Sequence, residues 1–179
     1  MAYVYANLLT AENTGPGVGE YIYLAPVSHF AVDGIKVPLA PFSAPGDEVT
    51  IATDHVFLAT RKFAKVQLAP DTNSLTANTV GDKGFKKLSQ ELTVVMPGSY
   101  AEAHEAVKNW INTPLIVLAP DAECGSALFY QLGSPCIGAY IEPTFNTGTT
   151  ADGRKGYEFK ITYSGSYIQI YAGTIEAYP

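Results

Sequence analysis

Charge is scarce in this chain. Only 16% of its 179 residues are Asp, Glu, Lys or Arg, against roughly 25% in an ordinary soluble domain. Eleven Lys and Arg stand against 17 Asp and Glu, a net charge of −6. Specific nucleic-acid recognition draws its affinity from clustered cations, so this balance excludes it as a main role. Cysteine is also nearly absent. Cys124 and Cys136 are the only two, and their spacing fits no zinc or redox motif. Two reduced thiols are expected, with no metal and no disulfide. No stretch approaches the ~20 apolar residues of a membrane-spanning helix. The opening "MAYVYANLLTAENTGPG" has no basic region and no long apolar run of the kind that directs secretion. Synthesis in a cytoplasm is expected.

Catalytic signatures are missing too. No GxSxG, phosphate-loop or dinucleotide-binding sequence occurs. The three histidines are His29, His55 and His104. In an extended chain Asp54 and His55 point to opposite faces and form no dyad. His29 and Asp33 are the nearest base-and-orienter pair, and a structural histidine is the better reading there. "HEAVK" around His104 lacks the second histidine of a zincin helix. The expectation is a protein that is not an enzyme, with no catalytic, cofactor or metal residues. A carboxylate pair for glycoside chemistry stays open, because such residues need not be near in sequence.

What the chain does have is tyrosine (12 residues), glycine (16) and proline (12). A chain this long buries roughly 70% of its unfolded surface and folds without staples. Few charges with many tyrosines point to a surface covered by other subunits, because interfaces deplete Lys and Glu and enrich Tyr. Charge is unevenly spread. Residues 1–60 hold one Lys against six acids, residues 61–110 seven cations against five acids, and residues 111–179 three against six. Copies meeting head to tail would use that asymmetry.

Along the chain, residues 1–19 read as an arm and 20–179 as one β-rich domain. Strands are expected at 20–30 (broken by Pro26), 48–59, 62–69, 85–96, 114–120, 127–133 and 135–145. Residues 31–47, with three prolines, read as a long ordered loop. Residues 70–84 read as a polar loop ordered by contact with a neighbour, with Asp71, Asn73, Asn78 and Asp82 as intersubunit candidates. One helix is expected over 99–111. Ser99 and Glu102 form its capping box, and Tyr100, Ala103, Val107, Trp110 and Ile111 lie on one face. The fold class is mainly β: a sandwich or barrel of nine or ten strands with one flanking helix.

"RKGYEFKITYSGSYIQIYAGTIEAYP" closes the chain. Tyr157, Phe159, Ile161 and Tyr163 alternate with Glu158, Lys160 and Thr162, Ser164-Gly165-Ser166 breaks the run, and a second alternation follows. That pattern predicts a terminal β-hairpin. Its outer strand, "YIQIYAGTI", carries no charge. An edge so apolar invites pairing with another copy through Tyr167, Ile168, Ile170 and Tyr171.

The capped helix after a strand ("TVVMPGSYAEAHEAVKNWI"), the polar loops and the closing "KGYEFKITYSGSYIQIYAGTI" together resemble the tail tube proteins of long-tailed bacteriophages. The resemblance is architectural and spans most of residues 20–175. It implies a structural virion protein, made in the host cytoplasm, in which strands join across subunits. Six copies would form a ring, the rings would stack into a tube, and other tail proteins would meet the tube's ends. DNA would pass transiently along an acidic inner wall, for which Glu48, Asp54, Glu91 and Glu158 are the candidates. The mildly basic middle segment departs from that pattern. Two alternatives stand beside this reading: another virion component, such as a capsid decoration or minor tail protein, and a carbohydrate-binding β-sandwich whose tyrosines form a stacking platform.

Overall fold

A computed structural model describes residues 17–122, 128–149 and 153–179. Cys124 and most of the expected N-terminal arm lie outside the described residues. Ten strands form two sheets: β1 (Tyr21–Pro26), β2 (Thr50–Ile51), β3 (Ala64–Gln67), β4 (Ser74–Val80), β5 (Lys87–Pro97), β6 (Leu115–Pro120), β7 (Phe129–Leu132), β8 (Tyr140–Asn146), β9 (Gly156–Gly165) and β10 (Gln169–Tyr171). The single α-helix among the described residues, α1 (Ala101–Trp110), follows β5, and a short 3₁₀ turn (Val27–His29) follows β1. One sheet has six strands in the order β2-β10-β7-β6-β1-β3, and the other has four in the order β4-β5-β9-β8. The expected β-sandwich with one helix is what the chain forms.

Two apolar layers hold it together, and β6 belongs to both. Its sequence LIVLAP is buried along its whole length, as expected of a central strand covered on both faces. Leu115, Val117 and Ala119 face the space between the sheets, with Ile22, Leu24, Leu92, Val94, Phe159 and Ile161. Ile116 and Leu118 face the other way, onto Phe30, Ile35, Ile51, Phe63 and Tyr171. The second layer is closed by the segment 27–63 and by the last residues of the chain. The helix joins the first layer through Ala103, Val107 and Trp110, with the Trp110 ring edge-on to Phe159 at 6.3 Å between centroids.

Four expectations change. Residues 70–84 are not a loop, because Ser74–Val80 pair with Lys87–Thr93 as the outer arm of a hairpin. Its side chains are largely exposed on both faces, which is why a strand here is polar. Residues 48–59 form a strand only at Thr50–Ile51. Beyond it, the Val56 backbone bonds the preceding loop instead, with Val56 N–H to Gly34 O at 2.9 Å and Ala31 N–H to Val56 O at 3.0 Å.

The closing stretch is not a hairpin. Strand β9 is already flanked by β5 and β8, so it has no free side to offer. The chain crosses after Gly165 to the other sheet, where β10 lies between β7 and a parallel β2. Finally, the helix starts at Ala101 without a side-chain cap. The Ser99 hydroxyl bonds His104 Nε2 at 3.0 Å instead, while Tyr100 and Ile111 of the expected buried face are exposed.

Candidate assembly surface

The four-stranded sheet is antiparallel throughout. Strands β4 and β9 therefore run one way, and β5 and β8 the other. Its two edge strands, β4 and β8, are antiparallel to each other, and each has one side with no partner strand among the described residues. The β4 sequence, SLTANTV, has seven residues with neither charge nor proline. These are the features by which edges usually discourage pairing. The β8 edge carries Glu142 and Pro143. The other sheet guards its edges better. Its β2 is two residues long, and the end of the chain covers the start of the β3 edge, with Phe63 N–H to Glu176 O and Tyr178 N–H to Phe63 O, both 2.9 Å.

Alternation sorts the four-stranded sheet into two faces. Inward go Leu92, Val94, Tyr157, Phe159 and Ile161. Outward go Ser74, Thr76 and Asn78 from β4, Ser89, Glu91 and Thr93 from β5, Glu158, Lys160 and Thr162 from β9, and Tyr140, Glu142 and Thr144 from β8. Lys87 shares the outer face at the hairpin end of β5. Three acids (Glu91, Glu142, Glu158) thus stand against two lysines (Lys87, Lys160) among hydroxyl and amide side chains and two valines, Val80 and Val95. Lys160 Nζ lies 2.9 Å from Glu91 Oε2. The hydrogen bond and charge of Glu91, then the charge of Glu142, hold its ammonium above the usual lysine range.

This geometry separates the residues singled out from sequence. Of the four inner-wall candidates, Glu91 and Glu158 share the outer face, whereas Glu48 and Asp54 flank β2 in the other sheet. Asp54 Oδ1 accepts the Thr174 N–H at 2.6 Å. Of the 70–84 group, Asn78 is exposed on β4, Asp82 sits in the hairpin turn, and Asp71 occupies a left-handed turn position (φ 58°). Asn73 is an internal clamp. Its amide donates to Ala69 O (3.0 Å) and Gly19 O (3.3 Å), and its oxygen accepts the Val95 N–H (3.4 Å).

In the closing stretch, Tyr171 is fully buried and Ile170 sits in an interior strand, its N–H bonded to Val49 O at 2.9 Å. The main-chain argument for Ile170 as an open edge therefore fails. Tyr167 O accepts from Gln90 Nε2 at 3.1 Å, and Ile168 lines a 290 Å³ hollow with Val18, Leu75 and Tyr130.

Sequence reasoning missed β4, β8 as an edge, and Phe85 in the hairpin turn, which is 82% exposed. A signal was present. Leu75 and Ala77 alternate with polar residues, and the two glycines of "GDKG" follow at left-handed φ values of 98° and 92°, a turn between two strands.

Two polar clusters lie apart from this surface. Ser99, His104 and Tyr157 form a chain from the start of the helix to β9, with His104 Nδ1 2.5 Å from the Tyr157 hydroxyl. His55 is buried under the 31–37 segment. No protein-family model matches the chain, and neither a curated protein nor a solved structure matches it.

Proposed function

We propose that this chain is the repeating subunit of a phage tail tube, a structural protein that closes into rings and stacks. The observation that carries the reading is the pair of oppositely directed edges on one four-stranded sheet, each without a partner strand among the described residues. A copy rotated about a common axis can set its β8 against β4 of the first, antiparallel, with every copy pointing the same way. Repetition of that step closes a ring and leaves no edge. Main-chain bonds provide the affinity, as in other strand-addition contacts.

With the inter-sheet core on one side, the outer face of this sheet becomes the inner wall. Hydroxyls, amides and a slight excess of carboxylate offer DNA phosphates little to hold, since phosphate affinity needs unpaired cations. Lys160 is engaged by Glu91. Other tail proteins would meet the open rims. The tyrosine-platform alternative has weaker support: among the described residues the three most exposed tyrosines, Tyr100, Tyr140 and Tyr178, sit apart in sequence, before α1, in β8 and in the C-terminal segment.

Proline at adjacent positions of β4 tests the reading. Of Asn78 and Thr79, one N–H faces β5 and the other faces out, because neighbouring N–H groups alternate along a strand. Proline removes the donor, and at the outward position it leaves the subunit folded. Wild-type protein should form rings or tubes by electron microscopy. The proline variant that keeps a native circular dichroism spectrum should stay monomeric. A folded proline variant that still builds normal rings would sink the proposal, as would wild-type protein that remains monomeric at high concentration across salt conditions. Ile170→Pro is not such a test, because it breaks a bond inside the subunit.

A further inference from the structure

The segment 31–37 lies over the second apolar layer, where Ile35 is buried and Val32 is 94% exposed. Its backbone is tied down by Ala31 N–H to Val56 O, Val56 N–H to Gly34 O and, further along, Lys36 N–H to His55 Nδ1 at 3.0 Å. That last bond fixes the imidazole. Nδ1 is an acceptor, so the ring is neutral and carries its proton on Nε2, which donates to Gln131 Oε1 at 2.9 Å. Gln131 Nε2 in turn donates to Gly133 O and Gln169 Oε1. The imidazole stacks on Tyr171, 4.5 Å between centroids and 10° from parallel, and the His55 N–H donates to the Tyr171 hydroxyl.

Burial is what chiefly opposes a second proton here, with the Lys36 charge beside it. It outweighs the Gln131 bond, the Gly34 carbonyl and the Asp54 charge, which favour one. The charged groups around it are Lys36 on the covering segment and Asp54 on the neighbouring residue, with Glu176 of the C-terminal segment acting on Tyr171. Strands β7 and β10 contribute only neutral amides and the phenol, and Phe30 and Phe63 supply apolar walls. A proton on Nδ1 would point a donor at the Lys36 N–H and lose the tie.

We infer that His55 is a latch, and that proton uptake by its ring releases the 31–37 segment from the sandwich and uncovers Phe30 and Ile35. This does not depend on the tube reading. Burial holds the His55 pKa down, from 6.5 to about 4. Release of the segment opens the ring to solvent and moves it back toward its ordinary value, which sets the upper limit of the effect. The sign follows directly: the open state binds more protons, so opening is favoured as pH falls from about 6.5 toward 4, and levels off below that. At pH 4.5 those two values limit the rise in the opening equilibrium to on the order of 50- to 100-fold over neutral pH.

Amide hydrogen exchange on the full chain, corrected for the intrinsic pH dependence, tests it. Protection of Lys36 should fall by up to that factor between pH 7 and 4.5. The Leu118 amide in β6 reports global unfolding and should stay at least about ten-fold better protected than Lys36 throughout. His55→Asn keeps an acceptor near Nδ1 and removes the titration, and it should flatten the pH dependence. The latch is overturned if Lys36 protection does not change with pH, if Lys36 and Leu118 share one protection factor at pH 4.5, or if His55→Asn keeps the wild-type pH dependence.

Discussion

Gln131 does the work at the residue scale that sequence could not assign. It is fully buried and joins three strangers: His55, Gln169 and the Gly133 carbonyl. In the sequence it is one polar residue in "ALFYQLG", pointing inward from a strand, and its partner His55 is 76 positions away. No local pattern marks such a pair. Asp54 is exposed and His55 buried, but the strand alternation expected to separate them is absent, because the strand ends at Ile51. Gln131→Leu keeps most of the volume but strands the His55 Nε2–H and the Gln169 oxygen without partners. Each unsatisfied buried group costs about 1–3 kcal/mol. Urea unfolding should show a loss of roughly 2–5 kcal/mol, and an unchanged midpoint would mean that the network contributes little. Gly133→Ala should also destabilise. Its φ is 106°, and an added Cβ would come 2.7 Å from the Leu115 carbonyl oxygen.

At the scale of elements, legibility tracked one-sided burial. Tyr157, Phe159, Ile161 and Tyr163 announce β9 because one face is core and the other is not. The unbroken LIVLAP announces β6 because both faces are core. Strand β4 shows the contrast only weakly, since Leu75 and Ala77 are half-buried while its other side chains meet solvent, and its Ser, Thr and Asn resemble loop composition. The closing stretch misled for a different reason. The alternation was real, but periodicity cannot say which sheet a strand joins, and the partners of β10 (Phe129–Gln131 and Thr50–Ile51) come from distant segments. The helix was legible from its buried face yet not at its start, where Ser99 turns to His104. Trp110 is the helix's main anchor. Trp110→Ala should cost about 3–5 kcal/mol, and Trp110→Phe should recover much of that, read by chemical denaturation. If alanine there costs less than ~1 kcal/mol, the helix is packed by something other than its tryptophan.

For the whole molecule, the candidate wall is where the reading can be pushed hardest. Glu91→Gln with Glu158→Gln leaves one acid, Glu142, facing two lysines, with Lys160 losing its ion pair and keeping only the charge of Glu142 opposite it. Tubes of that variant should retain DNA at low salt and release it as salt rises, because cation–phosphate contacts weaken with ionic strength; wild-type tubes should not retain it. Equal retention by both would remove the charge argument for the wall. The directions of β4 and β8 carry a different consequence. Copies joined edge to edge in this way all point alike, so the two rims of a ring cannot be equivalent. One rim presents the β4–β5 turns, with Phe85 between Lys83 and Lys86, and the other presents the opposite ends of the four strands at Ser74, Pro97, Gly156 and Asn146. A stack of such rings has a heading, like an arrow. Growth would proceed by turn meeting strand-end, and the factor that starts the stack would need a surface unlike that of the factor that stops it.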